Sequence, residues 1–143
     1  MTQADRKSWL VCAILIGVAY AIIGRFFPNP DITAGAQIQL LWRLGAWVVS
    51  AAVFAFHIGY EHFRLRNSPL AVALHTTSAV AFGAFLLALV AMIRAATVTL
   101  QVPFSRYILA LVLWPIFTAI PAFLVSFFIA AILARLPRNR SAE

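Results

Sequence analysis

Residues 51–69 read AAVFAFHIGYEHFRLRNSP. The stretch opens as apolar text fit for lipid. It then sets His57, Glu61 and His62 close together, and Arg64 and Arg66 directly after them. Asn67, Ser68 and Pro69 follow as a turn, with Pro69 suited to the first turn of a new helix. The chain holds only four acidic residues, and one of them lies between two of its three histidines. The stretch is therefore read as the cytoplasmic end of a membrane-crossing helix that carries polar groups inward, joined by a tight turn to the next helix.

Composition supports that setting. Of 143 residues, 64% are hydrophobic and 10% charged, against roughly 45–50% and about 25% in soluble domains. Residues 1–143 are expected to form a single transmembrane domain, with spans near 9–27, 38–63, 70–94 and 107–136. Each is long enough for a hydrocarbon core of about 30 Å, which takes roughly 20 helical residues. A backbone in lipid must satisfy its own hydrogen bonds, so the spans are helices, and the alternation of an outer-membrane barrel is absent. The first run is read as a retained helix: it is long, and Ala34-Gly35-Ala36 lies beyond an intervening RFFPNPDIT.

Eleven Lys and Arg face four Asp and Glu, a net charge of +7. Nearly all the basic residues stand at the ends of apolar runs. They act as topology signals and headgroup contacts and leave no basic face for nucleic acid. Arg6, Lys7, Arg64, Arg66, Arg135, Arg138 and Arg140 would lie on one side, and Arg25, Arg43, Arg94 and Arg106 on the other. The positive-inside rule makes the richer side cytoplasmic. The expected fold is all-α: an integral membrane, up-down four-helix bundle with both termini inside, multi-pass in a bacterial-type inner membrane.

Small residues recur on three helices: Ala13, Gly17 and Ala21; Ala51, Ala55 and Gly59; and Ala79, Gly83, Ala84, Ala88 and Ala91. Such faces let membrane helices approach closely, either within the bundle or in a homo-oligomer. Pro115 and Pro121 in the last span predict kinks near Leu111–Thr118, with the Thr118 hydroxyl returning a hydrogen bond to a freed carbonyl. Trp9, Trp42, Trp47, Trp114 and Tyr107 fit interface belts and packing. Cys12 is the only cysteine, so it makes no internal disulfide and reads as a small buried hydrophobe.

Steps of four and three along a helix trace one face. From Arg43 that walk passes Trp47, Ser50 and Phe54 to His57 and Glu61, giving a polar stripe of Arg43, Ser50, His57 and Glu61 opposite Val48, Ala52 and Phe56. Arg43 has a ready role as an interface anchor paired with Asp31. His75 follows Pro69 by two turns and should return to the depth of His57, so a hairpin would gather His57, Glu61 and His75. His62 is expected to point away, at the surface.

Three readings of this cluster compete. It is a hydrogen-bonded polar core that fixes helix packing. It holds a transition metal on His57, Glu61 and His75, or a haem between His57 and His75. Or it passes protons or a substrate through Glu61 and His57. There is no HExxH, CxxCH, G-x-S-x-G or Gly-rich phosphate loop, so catalysis has little support. The leading expectation is a non-enzymatic accessory or assembly subunit of a membrane complex, with lipid and a protein partner or second copy around it. The alternative is a small transporter or a metal- or haem-binding membrane protein.

Overall fold

The computed structural model describes residues 3–26, 35–97 and 103–136, with side chains from Trp9 onward. These residues form four long helices and no strands: α1 (Gln3–Phe26), α2 (Ala36–Gly59), α3 (Pro69–Thr97) and α4 (Phe104–Arg135). A π-helical turn, Tyr60–Arg64, extends α2 without a break. All four helices are long and apolar enough to cross a membrane. The helices cover the four apolar runs of the sequence; α1 begins six residues before Trp9, and the other ends, counting the π-helical turn with α2, differ from the expected bounds by one to three residues. Phe27, the breakers at 28–31 and Arg138 and Arg140 lie outside the described residues.

Helix α3 is the centre of the bundle. It packs along α4 most extensively and along α1 next. The α1–α3 contact is built from the small-residue faces. A Cβ added at Gly17 would stand 2.9 Å from the Ala79 carbonyl oxygen, and one at Gly83 would stand 2.8 Å from the Gly17 carbonyl oxygen and 2.7 Å from the Tyr20 Cβ. Only glycine at both positions permits this backbone approach. It is the kind of contact that holds helices together in lipid, where apolar burial gives little drive.

Helix α2 is held differently. Its two buried residues, His57 and Ile58, both lie in its last turn. There Ile58 packs against Val72 of α3 and Ala130 of α4, with Phe54 and Leu133 at the edge. Towards its other end no residue of α2 is buried. A cleft of about 480 Å³ opens there, lined by Tyr20 and Gly24 of α1, Trp47, Ser50 and Phe54 of α2, Gly83 and Leu87 of α3, and Trp114 and Thr118 of α4, among others. The small-residue stripe of α2 finds no partner in the described chain: Ala51 and Ala55 are exposed, and a Cβ at Gly59 would meet only a Phe63 ring carbon at 3.9 Å.

Helix α4 is continuous through Pro115 and Pro121. Proline frees the carbonyl four residues before it, here those of Leu111 and Phe117. The Thr118 hydroxyl does not serve either of them. It donates to Trp114 O at 3.1 Å and Pro115 O at 3.0 Å, because a threonine on a helix reaches its own preceding turn first.

Candidate functional site

The turn after α2 builds the site. The π-helical turn spans Tyr60–Arg64, and the Leu65 N–H reaches back to Tyr60 O at 3.2 Å, five residues earlier. Such wide turns collect at functional positions in helices. A wider turn rotates successive side chains less, so Glu61 and His62 both face inward. Glu61 is fully buried and His62 is 5% exposed. This corrects the surface position expected for His62, which assumed a regular α-helix. The chain leaves the turn through Arg66, whose φ of 54° is left-handed. Ser68 then caps α3: its Oγ accepts from the Ala71 N–H at 3.3 Å, and its carbonyl accepts from Val72 N–H at 2.9 Å. Pro69 opens the helix as its sequence position predicts.

This local geometry carries Glu61 to the meeting point of three helices. His75 Nδ1 donates to Glu61 Oε2 at 2.8 Å. The Asn67 side-chain amide donates to the same oxygen, and the Asn67 backbone N–H donates to Glu61 O at 3.2 Å. The other carboxylate oxygen, Oε1, faces His57 Nε2 at 3.7 Å, within ion-pair reach but beyond a hydrogen bond. The hairpin therefore brings His57, Glu61 and His75 together as the sequence predicts. Trp9 of α1 covers His75, with ring centroids 4.7 Å apart.

Two further residues belong to the cluster. The sequence marks Asn67 only as a turn residue. Cys12 of α1, read as a small hydrophobe, is half-buried and brings its sulfur to the group: one donor atom from each of Cys12, His57 and Glu61 lies within 4.8 Å of the others. Sequence spacing carried no signal for Cys12, since it lies on another helix far away along the chain.

The polar stripe is partly gathered. Trp47, Ser50 and Phe54 line the cleft, and His57 and Glu61 are buried at the turn end of the helix. Arg43 is exposed and stands outside the cluster, and its expected partner Asp31 lies outside the described residues. Two hydroxyls near His75 serve the backbone: Thr76 Oγ1 donates to Val72 O at 2.8 Å, and Ser78 Oγ to Leu74 O at 2.8 Å, while Thr77 Oγ1 is buried with no hydrogen-bond partner among the described residues.

The cluster has unused capacity. Both ring nitrogens of His57, Oε1 of Glu61 and Nδ1 of His62 are buried with no hydrogen-bond partner among the described residues. Buried polar atoms are nearly always partnered, so a group of orphans in one place needs a physical reason. Glu61 contacts both imidazoles, so a haem held between His57 and His75 would have to displace it. Comparison with known family models, curated proteins and solved structures finds no match for this chain.

Proposed function

We propose that the chain is a small multi-pass protein of a bacterial-type inner membrane, an up-down bundle with both termini cytoplasmic. In this reading it serves as a non-enzymatic accessory or assembly subunit of a larger membrane complex. One observation carries the reading: of the three small-residue faces, those of α1 and α3 are used against each other, while Ala51 and Ala55 of α2 remain uncovered beside an open cleft. Lipid gains nothing from small residues, whereas a helix gains a close backbone approach. A transmembrane helix of a partner protein is the occupant that uses this face. Charge asymmetry along the sequence supports the orientation: seven Lys and Arg (Arg6, Lys7, Arg64, Arg66, Arg135, Arg138 and Arg140) fall on the side read as cytoplasmic, against four on the other.

The test is extraction in mild detergent followed by affinity capture, with the wild type beside Ala51→Leu and Ala55→Leu. A stoichiometric membrane partner is expected with the wild type and should be lost with either variant. Recovery of the wild type as a bare monomer, or a partner retained by both variants, would overturn the assignment. Recovery of a second copy of this chain would replace it with a homo-oligomer. A reporter fused after residue 143 that works only outside the cytoplasm would reverse the orientation.

A further inference from the structure

We infer that Cys12, His57 and Glu61 form a binding site for a divalent zinc-class ion, with His75 and Asn67 positioning the Glu61 carboxylate. The inference does not rest on the partner reading above. The ligand set also differs from the sequence expectation, which used His75 in place of Cys12.

Glu61 commits one of its two carboxylate oxygens and leaves the other open. Oε2 of Glu61 is fully engaged, by His75 at 2.8 Å and by Asn67. Oε1 is not, and it points at His57, which is itself fully buried with both nitrogens unpartnered. A carboxylate with one oxygen anchored by neighbours and the other turned toward a second donor is the arrangement that orients metal ligands. His75 has spent Nδ1 on that anchoring, so the third donor comes from α1, where the Cys12 sulfur completes a set within 4.8 Å.

The His57–Glu61 spacing fits the ion. Tetrahedral zinc holds nitrogen and oxygen at about 2.0–2.2 Å and sulfur at about 2.3 Å, which separates neighbouring ligand atoms by roughly 3.3–3.7 Å. The 3.7 Å from His57 Nε2 to Glu61 Oε1 already lies at that edge. Donor chemistry agrees: one thiolate, one imidazole and one carboxylate match a borderline-soft ion and leave its fourth position open. Charge agrees as well. A thiolate and a carboxylate carry two negative charges that a divalent ion cancels, leaving a neutral site in a segment that borders lipid. On binding, the ion takes the sulfur lone pair and the Cys12 thiol proton leaves to solvent, along with any proton on His57.

The test uses the purified full chain in detergent, with Co(II) as spectroscopic probe and Zn(II) as competitor. One equivalent of Co(II) should give the absorption of a tetrahedral ion together with a sulfur-to-cobalt charge-transfer band, both abolished by excess Zn(II). Cys12→Ser should remove the charge-transfer band, and His57→Ala and Glu61→Gln should each weaken binding at least 100-fold. His75→Ala should weaken it by about 10–100-fold, as expected for a residue acting through a ligand. A readout on the wild type guards against variants that fail to fold. Because Cys12 is the only cysteine, Zn(II) should slow its alkylation at least tenfold. An unchanged alkylation rate with Zn(II), or Co(II) absorption without a thiolate band, would overturn the site.

Discussion

His75 Nδ1 and Glu61 Oε2 meet at 2.8 Å across fourteen residues of chain, and this one contact ties the turn after α2 to the first turns of α3. Both groups are buried, and Glu61 has no exposed surface. The contact thus sets how the second and third helices are registered against each other. A carboxylate in this position is expensive to bury and correspondingly costly to leave half-satisfied.

Glu61→Ala should therefore destabilise the bundle. It strips the acceptor from His75 and Asn67 together, and hydrogen bonds to charged groups contribute about 1.5–3 kcal/mol each in protein interiors. Average hydrogen bonds between membrane helices contribute only about 0.6 kcal/mol, but Glu61 accepts more than one. A loss of about 2–3 kcal/mol is expected, read as a lowered midpoint in reversible denaturant unfolding in mixed micelles. A loss below the membrane average would show that the contact contributes little.

Gly83→Ala tests the α1–α3 contact. Its new methyl would stand 2.7 Å from the Tyr20 Cβ and 2.8 Å from a backbone oxygen, neither of which can swing aside. Overpacking of this kind costs about 1–3 kcal/mol. Gly35→Ala is the control, since nothing lies within 4 Å of its added Cβ. The two variants should differ clearly in thermal stability; equal stability would mean the helices can separate freely here.

Arg66 offers a gain. A non-glycine residue in left-handed backbone costs roughly 1–2 kcal/mol, and glycine returns about 0.5–1 kcal/mol of that through its greater freedom when unfolded. Arg66→Gly should then stabilise by about 0.5–1 kcal/mol. Arg64→Gly, inside the π-helical turn, should destabilise by about 1 kcal/mol instead. The same sign for both would contradict the backbone argument.

Ile58→Ala addresses how α2 is pinned. Ile58 is 1% exposed and touches the only buried apolar cluster found among the described residues. Removing its side chain leaves a cavity, with a cost of about 2–5 kcal/mol in soluble cores; the lower end applies in lipid, where the transfer contribution is small. Spin labels at residues 47 and 114, facing each other across the cleft, should report a broader distance distribution in the variant than in its parent.

Much of this architecture is legible in the sequence because lipid makes simple demands. Long apolar runs must be helices, and the ends of α1 to α4 follow from Pro69, Pro103 and the charged caps. The face bearing Ser50, His57 and Glu61 is also legible, since helical periodicity alone orders it. Three features are not. His62 turns inward because the backbone widens at Tyr60–Arg64, and no residue pattern there announces a π-helical turn. Cys12 joins the cluster through the packing of α1 on α3, a long-range relation that a single chain does not encode locally. The Thr118 hydroxyl chooses Trp114 and Pro115 over the freed carbonyls because side-chain reach, not proline spacing, decides its partner.

The burial of α2 at one end, among the described residues, has a mechanical consequence. With 24 residues at 1.5 Å each, the helix is a rod of about 36 Å, clamped at His57 and Ile58. It acts as a lever with its fulcrum at the Glu61 cluster. A tilt of about 5° at the clamp moves the far tip by roughly 3 Å over that length, about the width of a methyl group. A change of a few tenths of an ångström between Glu61 and its neighbours would, by that geometry, shift the wall of the cleft near Trp47. A small shift at one end of the bundle would become a displacement at the other.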